Sequence, residues 1–340
     1  MAMKQAAGGS PSGNHGLFHR FGIEAVSIES VHKFTKKSRR REHDLYTIGR
    51  MMEGIFRSLN NLLERFHQSF FFYLLPSTNR YVSIGMYMPG FGVLAGSMVI
   101  QALGLWYQCV KEANPSGTSE NQPQIRNPKI GQVFPGWILC HIIGLIMIFL
   151  PKSSSLVGSR IFNLPSDDSV IIGVTFLSIL STFTVYRSSR SGTFGQDWKL
   201  VKCVALLEIS IVAFSMSLCN FSLAYIVTLF YAPMALMSKP LDSKISRTFQ
   251  TILTLLVHPL SLVFFACLVD TIRFDPDKPI LSLLASAVHG TRHVVTYSVL
   301  DGYIYGNYTF VVAAVFLLPC WLLFWNISST KVSKIHEHQD

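Results

Sequence analysis

Among residues able to do chemistry, histidines come first. His289 and His293 are four apart, so a helix would put both on one face, and His336-Glu337-His338 brings two more imidazoles together. A zinc centre needs three or four converging ligands. Neither group has further ligands near it in sequence, so interfacial histidines are expected, with no metal and no cofactor. GxSxG, HExxH, P-loop, GxGxxG and paired CxxC motifs are all missing from the sequence. Cys109, Cys140, Cys203, Cys219, Cys267 and Cys320 sit in or beside apolar runs and read as small packing residues. Glu208 is the one carboxylate well inside such a run. A lone charge there costs roughly 3 kcal/mol on insertion scales, so it should meet another helix, a partner or water. Lys202 is near but on a different helix face. Glu208, His141 and His258 fall on separate segments, too sparse a set for a membrane-embedded active site. No catalytic residue is expected.

The elements that carry these residues follow from the charge pattern. The chain of 340 residues is 49% hydrophobic and 14% charged. Asp, Glu, Lys and Arg vanish over 81–110, 130–151, 169–186, 209–238, 248–269 and 302–330. About 20 helical residues cross a hydrocarbon core of about 30 Å. Long runs without period-two alternation select helices over a barrel. The expected fold is all-α: a polytopic transmembrane bundle of about seven spans, preceded by an amphipathic interfacial helix. The spans are drawn at 81–106, 134–151, 168–187, 200–218, 220–237, 248–271 and 303–326. One straight helix over 200–237 would be about 57 Å long, too long for a single crossing, so a tight turn near Asn220 is expected. Residues 279–300 are apolar but broken by His289, Arg292 and His293, and read as re-entrant or interfacial. The net charge of +10 reflects this topology more economically than a nucleic-acid partner.

Four stretches divide the chain: 1–43, an N-terminal remnant and basic linker; 44–76, the amphipathic interfacial helix; 77–330, the bundle; and 331–340, a tail. Residues 33–41 (KFTKKSRRR) form a basic cluster that reads as a solvated loop, with contact to anionic lipid headgroups as the alternative. From Asp44, a plausible N-cap, apolar residues at Leu45, Ile48, Met51, Met52, Ile55, Phe56, Leu59, Leu62, Leu63 and Phe66 make one face. That face leads into His67, Gln68 and Ser69, then Phe70 to Tyr73, with Pro76 ending the helix. Connections 107–133, 187–202, 238–247 and the tail hold most of the interspan Lys and Arg, which puts them and the C-terminus in the cytoplasm. Residues 1–80 then lie on the lumenal side, although nothing in the sequence carries them across.

Residues 49–76 (GRMMEGIFRSLNNLLERFHQSFFFYLLP), 80–89 (RYVSIGMYMP), Asn220-Phe221-Ser222 and 317–326 (LLPCWLLFWN) carry a resemblance. In order and spacing they resemble the Gaa family, the glycosylphosphatidylinositol (GPI) anchor-attachment subunits of GPI transamidase. Family members also have a leading span and a large lumenal domain similar to M28 aminopeptidases. Residues 17–43 resemble the end of that domain, so the chain reads as the family's C-terminal membrane half. The resemblance implies a non-catalytic subunit in the endoplasmic reticulum membrane that binds GPI lipid and presents it for attachment to proprotein C-termini. Implied partners are the other transamidase subunits, including the cysteine protease-like catalytic one, the GPI lipid and, indirectly, the proprotein. It places the lipid site near His67, Gln68, Ser69, Phe70 and Tyr73, and at Pro319 in the last span. A polar triplet above aromatic rings also suits a sugar-phosphate headgroup over acyl chains. Proline within a span removes a backbone hydrogen bond and kinks the helix. Asn326 could contribute to the same region. The alternative is a secondary transporter, for which an internal repeat would be expected and none is evident. Gly92-x-x-x-Gly96 and Gly302-x-x-x-Gly306 fit close helix contacts.

Overall fold

The structure, a computed structural model, describes residues 9, 11, 13–23, 25, 27, 45–61, 73–77, 80–114, 128–191 and 197–330. Short helix α1 (His15–Arg20) and α2 (Leu45–Asn60) come first, then hairpin strands β1 (Tyr73–Ser77) and β2 (Arg80–Ser83). The bundle follows as α3 (Ile84–Ala113), α4 (Phe134–Ile161), α5 (Ser166–Ser191), α6 (Trp198–Cys219) and α7 (Phe221–Met237). It continues with α8 (Lys244–Leu256), α9 (Pro259–Phe274) and α10 (Ile280–Tyr305). The last segment is α11 (Thr309–Val312), a π-helical turn (Ala313–Leu317) and α12 (Leu318–Ser329).

Five of these helices are long and apolar enough to cross a membrane, and the bent pair α8–α9 makes a sixth. Helix α7 is apolar but shorter, at 17 residues. All seven drawn spans therefore fall on helices, and the all-α polytopic class stands. The expected turn in 200–237 is present. Asn220 ends α6, and its side-chain carbonyl accepts from Leu223 N–H at 3.0 Å, capping α7. The span at 248–271 needs correction, because it breaks between Leu256 and Pro259 with a 72° bend. Pro259 cannot donate to the Leu255 carbonyl and pushes His258 out of helical conformation. The region read as broken over 279–300 is one continuous helix, α10, whose end is closed by Gly306 at φ +73.

The interfacial helix is also shorter than expected. Side chains 46–60 of α2 are all exposed, the apolar stripe from Ile48 to Leu59 included. Tyr73–Ser77 pairs antiparallel with Arg80–Ser83 and does not continue a helix to Pro76. The register shifts between Leu74 and Ser77, which accommodates a proline that has no ladder N–H to give.

The bundle has an apolar core, with Phe91, Met98, Leu206, Ile209, Trp321 and Phe324 buried, but its outer surface is apolar too, and some helices turn small polar residues inward. On α5, Ser169, Ser178, Ser181 and Ser189 are buried while Ile172, Phe176, Ile179 and Phe183 are exposed. Small residues let backbones approach where lipid supplies no hydrophobic driving force. Helices α4 and α5 cross this way, Gly158 against Ser169 and Gly173 against Ser154. The expected close contact at Gly92 and Gly96 is not made, since a Cβ at either would meet nothing within 4 Å. At the centre stands α12, packed on α4, α5, α6 and α8, with every residue from Leu318 to Ser328 buried.

A Cβ added to Gly144 of α4 would lie 2.6 Å from the Ala314 carbonyl oxygen and 2.8 Å from Pro319 Cγ. Gly144→Ala should therefore cost about 1–3 kcal/mol through overpacking. Gly96→Ala should carry no such packing cost. Thermal unfolding of the two variants in detergent micelles, against wild type, checks the contrast.

Candidate functional site

Pro319 lacks the N–H that would bond the Val315 carbonyl, and the chain widens into the π-turn at Ala313–Leu317 just before it. The Leu317 carbonyl accepts from the hydroxyl of Tyr231, fully buried on α7, at 3.2 Å. Pro319 itself is buried against Gly144. The kink is thus filled by protein, and what it changes is the wall beside it. Ala313, Ala314 and Leu318 line a small cavity of about 120 Å³ with Ser178, His258 and Phe310. Ser178, His258 and Leu260 also line a neighbouring groove of about 550 Å³, walled by Phe183, Tyr186 and Trp325. Thr175, Leu260 and Ser261 join that groove to a third space of about 450 Å³ under Phe264 and Phe265. No Asp, Glu, Lys or Arg lines any of the three.

His258 stands where they meet, in the break between α8 and α9. Its Nδ1 accepts from Leu260 N–H at 3.2 Å, capping α9. A ring whose Nδ1 accepts carries its proton on Nε2. His258 is 8% exposed, and Nε2 is buried with no hydrogen-bond partner among the described residues. It is a donor without an acceptor, in walls that are apolar apart from scattered hydroxyls such as Ser178, Thr182 and Ser261. Trp321 packs edge-on against the imidazole at 4.5 Å and donates through Nε1 to the Thr254 carbonyl at 2.7 Å. That carbonyl lies in the last turn of α8, where the break removes its helical donor.

Glu208 of α6 finds its partners on α4, the expected bond to another helix. Trp137 Nε1 donates to Oε2 at 2.7 Å, and His141 Nε2 lies 2.8 Å from Oε1. His141 Nδ1 is 3.0 Å from the Trp137 carbonyl, which can only accept. Nδ1 therefore holds a proton, and the pair shares one further proton between Nε2 and the carboxylate. The pair is neutral as a whole, which suits its burial. Cys320 Sγ lies 3.4 Å from Oε1. The contacts run thiol, carboxylate, imidazole, whereas an activated cysteine needs the base against the sulfur. The geometry is that of a helix clamp across α4, α6 and α12.

Of the residues expected at a lipid site, His67, Gln68, Ser69 and Phe70 lie outside the described residues. The backbone of Tyr73 opens β1. Pro319 is in the core, and Asn326 is buried with its backbone carbonyl accepting from Ser189 Oγ at 2.9 Å. Sequence reasoning passed over His258 as a groove residue. Its signal was the His-Pro pair inside an apolar run, which marks both a break and a cap.

Fold and site together define a polytopic helical membrane protein whose interior is clamped by the Glu208 cluster and whose side carries an open, uncharged groove. The model of the family described as Gaa1-like, GPI transamidase component, matches residues 1–325, and the chain belongs to that family. It is similar to the GPI transamidase component gaa1 of Schizosaccharomyces pombe, 26% identical over 252 residues, covering 74% of this chain and 37% of the relative. It is also similar to the GPI transamidase component GAA1 of Saccharomyces cerevisiae, 30% identical over 224 residues, covering 65% of this chain and 33% of the relative. The chain thus spans about a third of the length of these two curated relatives.

Proposed function

We propose that this chain is a non-catalytic subunit of a GPI-transamidase complex in the endoplasmic reticulum membrane, binding GPI lipid and presenting it for attachment to proprotein C-termini. The observation that carries the reading is the uncharged groove beside the Pro319 turn. Its walls suit acyl chains, and the His258 Nε2–H suits a neutral acceptor such as an acyl-ester carbonyl. A phosphate would bring a charge that nothing in these walls balances. The headgroup then belongs at membrane-surface depth, where His67, Gln68, Ser69, Phe70 and Tyr73 are assigned. The catalytic nucleophile belongs to the cysteine protease-like partner, and the proprotein is met indirectly.

Residues 1–80 are assigned to the lumen and the C-terminus to the cytoplasm. In support, α1 docks at the end of α10, where the Arg20 guanidinium donates to the Tyr303 carbonyl at 2.8 Å and to that of Ile304. This is the bundle end opposite Thr330.

The test is purification of the tagged chain in mild detergent, with mass spectrometry of bound lipid and protein. GPI lipid and transamidase subunits should co-purify with wild type. Ser261→Trp, which fills the groove from its rim, should lower GPI recovery at least about tenfold, the effect of some 1.4 kcal/mol. Gln68→Ala with Ser69→Ala should also lower it without unfolding the bundle. Undiminished GPI recovery in both variants would refute the site assignment.

A further inference from the structure

A separate cavity lies where α6 starts, α7 ends and α8 begins. It measures about 720 Å³ and is lined by Gln101, Trp198, Lys202, Lys239 and Ser246 among others, with no carboxylate in its wall. Lys202 is 3% exposed. Its Nζ donates to the Leu236 carbonyl at 2.8 Å, and Gln101 Nε2 donates to the same oxygen at 3.2 Å. That carbonyl is open because its helical donor would be residue 240, which is proline.

One of the three ammonium N–H groups is thereby used, and the charge itself meets only a dipole. No ion pair of Lys202 or Lys239 occurs among the described residues. Two carboxylates near the start of α6 are engaged elsewhere, and Asp242, beside Leu241, is exposed and makes no ion pair with either lysine among the described residues. Asp197 caps α6 through Lys199 N–H and Leu200 N–H, and Glu112 pairs with Lys199. A buried ammonium without a counter-ion is costly, and in membrane proteins such groups mark ligand sites. A second unmet group points the same way. Gln101 Oε1 is buried without a hydrogen-bond partner among the described residues, and it needs a donor.

We propose that this cavity binds the headgroup of an anionic phospholipid, the phosphate against Lys202 and Lys239 and a headgroup hydroxyl toward Gln101 Oε1. Basic pockets between spans are the usual form of such sites. Trp198 would flank the headgroup at interfacial depth, and the exposed Ile245 and Phe249 continue the wall outward for acyl chains. The site is separate from the groove at His258 and does not depend on GPI binding.

The experiment follows the thermal unfolding midpoint of the chain in detergent micelles against added short-chain phosphatidylinositol, short-chain phosphatidylcholine or inorganic phosphate. Phosphatidylinositol should raise the midpoint of wild type by mass action, and phosphatidylcholine should not. Lys239→Glu leaves the Lys202 cap on α7 in place and offers it a counter-ion from the rim. It should keep or raise basal stability while weakening apparent phosphatidylinositol affinity at least about tenfold. Lys202→Met should weaken it as much. A shift with inorganic phosphate that is lost in Lys239→Glu would support the same site for the phosphate group from a free source. Equal shifts in wild type and Lys239→Glu, equal shifts with both lipids, or no shift with any probe would overturn the proposal.

Discussion

Glu208→Ala should destabilise the bundle by about 3 kcal/mol, the cost of removing one partner from a buried polar pair. The side chains of His141 and Glu208 are 21% and 14% exposed, so water does not replace the lost contact. The truncation leaves Trp137 Nε1–H without its acceptor and His141 Nε2 facing a void, across the contact that joins α4 to α6. Glu208→Gln is the discriminating variant. With the His141 proton on Nδ1, a glutamine amide can donate to Nε2 and its carbonyl can accept from Trp137. Both hydrogen bonds to α4 are then kept, only the weak Cys320 thiol contact loses its acceptor, and no charge needs burying, so the expected loss is under about 1 kcal/mol. Thermal unfolding in detergent measures both. Equal losses for the two variants would mean that the pair depends on an ionised carboxylate and not on its hydrogen bonds.

Trp321→Ala should cost about 4 kcal/mol, within the range for deleting a buried aromatic side chain. The indole is fully buried and makes three kinds of contact at once. It packs against His258, lies stacked on Trp325 at 5.5 Å and bonds the Thr254 carbonyl at the end of α8. Trp321→Phe keeps most of the packing and removes only the hydrogen bond, so about 1 kcal/mol should go. Because that bond closes the break between α8 and α9, the Phe variant should also raise hydrogen exchange at Thr254 to His258 more than elsewhere. Uniform exchange changes would show that the break is held by packing alone.

Much of this was legible before any coordinates. Charge-free runs of span length report a bulk property, the cost of burying ionised groups in hydrocarbon, and that property needs no knowledge of neighbours. Asn220 was readable for a related reason: capping is local, and the chain length between charged ends forbade one straight helix. The resemblance carried by residues 49–76 and 317–326 identified the family, which the match over residues 1–325 bears out.

Other features depend on which residues face each other, which periodicity cannot supply. Gly92 and Gly96 have the spacing of a tight crossing, yet it is Gly144, Gly158 and Gly173 that meet partners. In lipid both faces of a helix can be apolar, so no hydrophobic stripe announces the buried side. The hydrogen bonds from Trp137 and His141 to Glu208 join residues far apart in the chain, and only the tertiary fold, with α12 packed on both α4 and α6, reveals that the carboxylate is satisfied. Pro319 was marked by sequence as a kink, but whether the gap would be filled or open was decided by Tyr231 and Gly144. His258 and Lys202 were visible as residue types. Their unmet hydrogen-bonding capacity was not, because an unsatisfied group is defined by everything that packs around it.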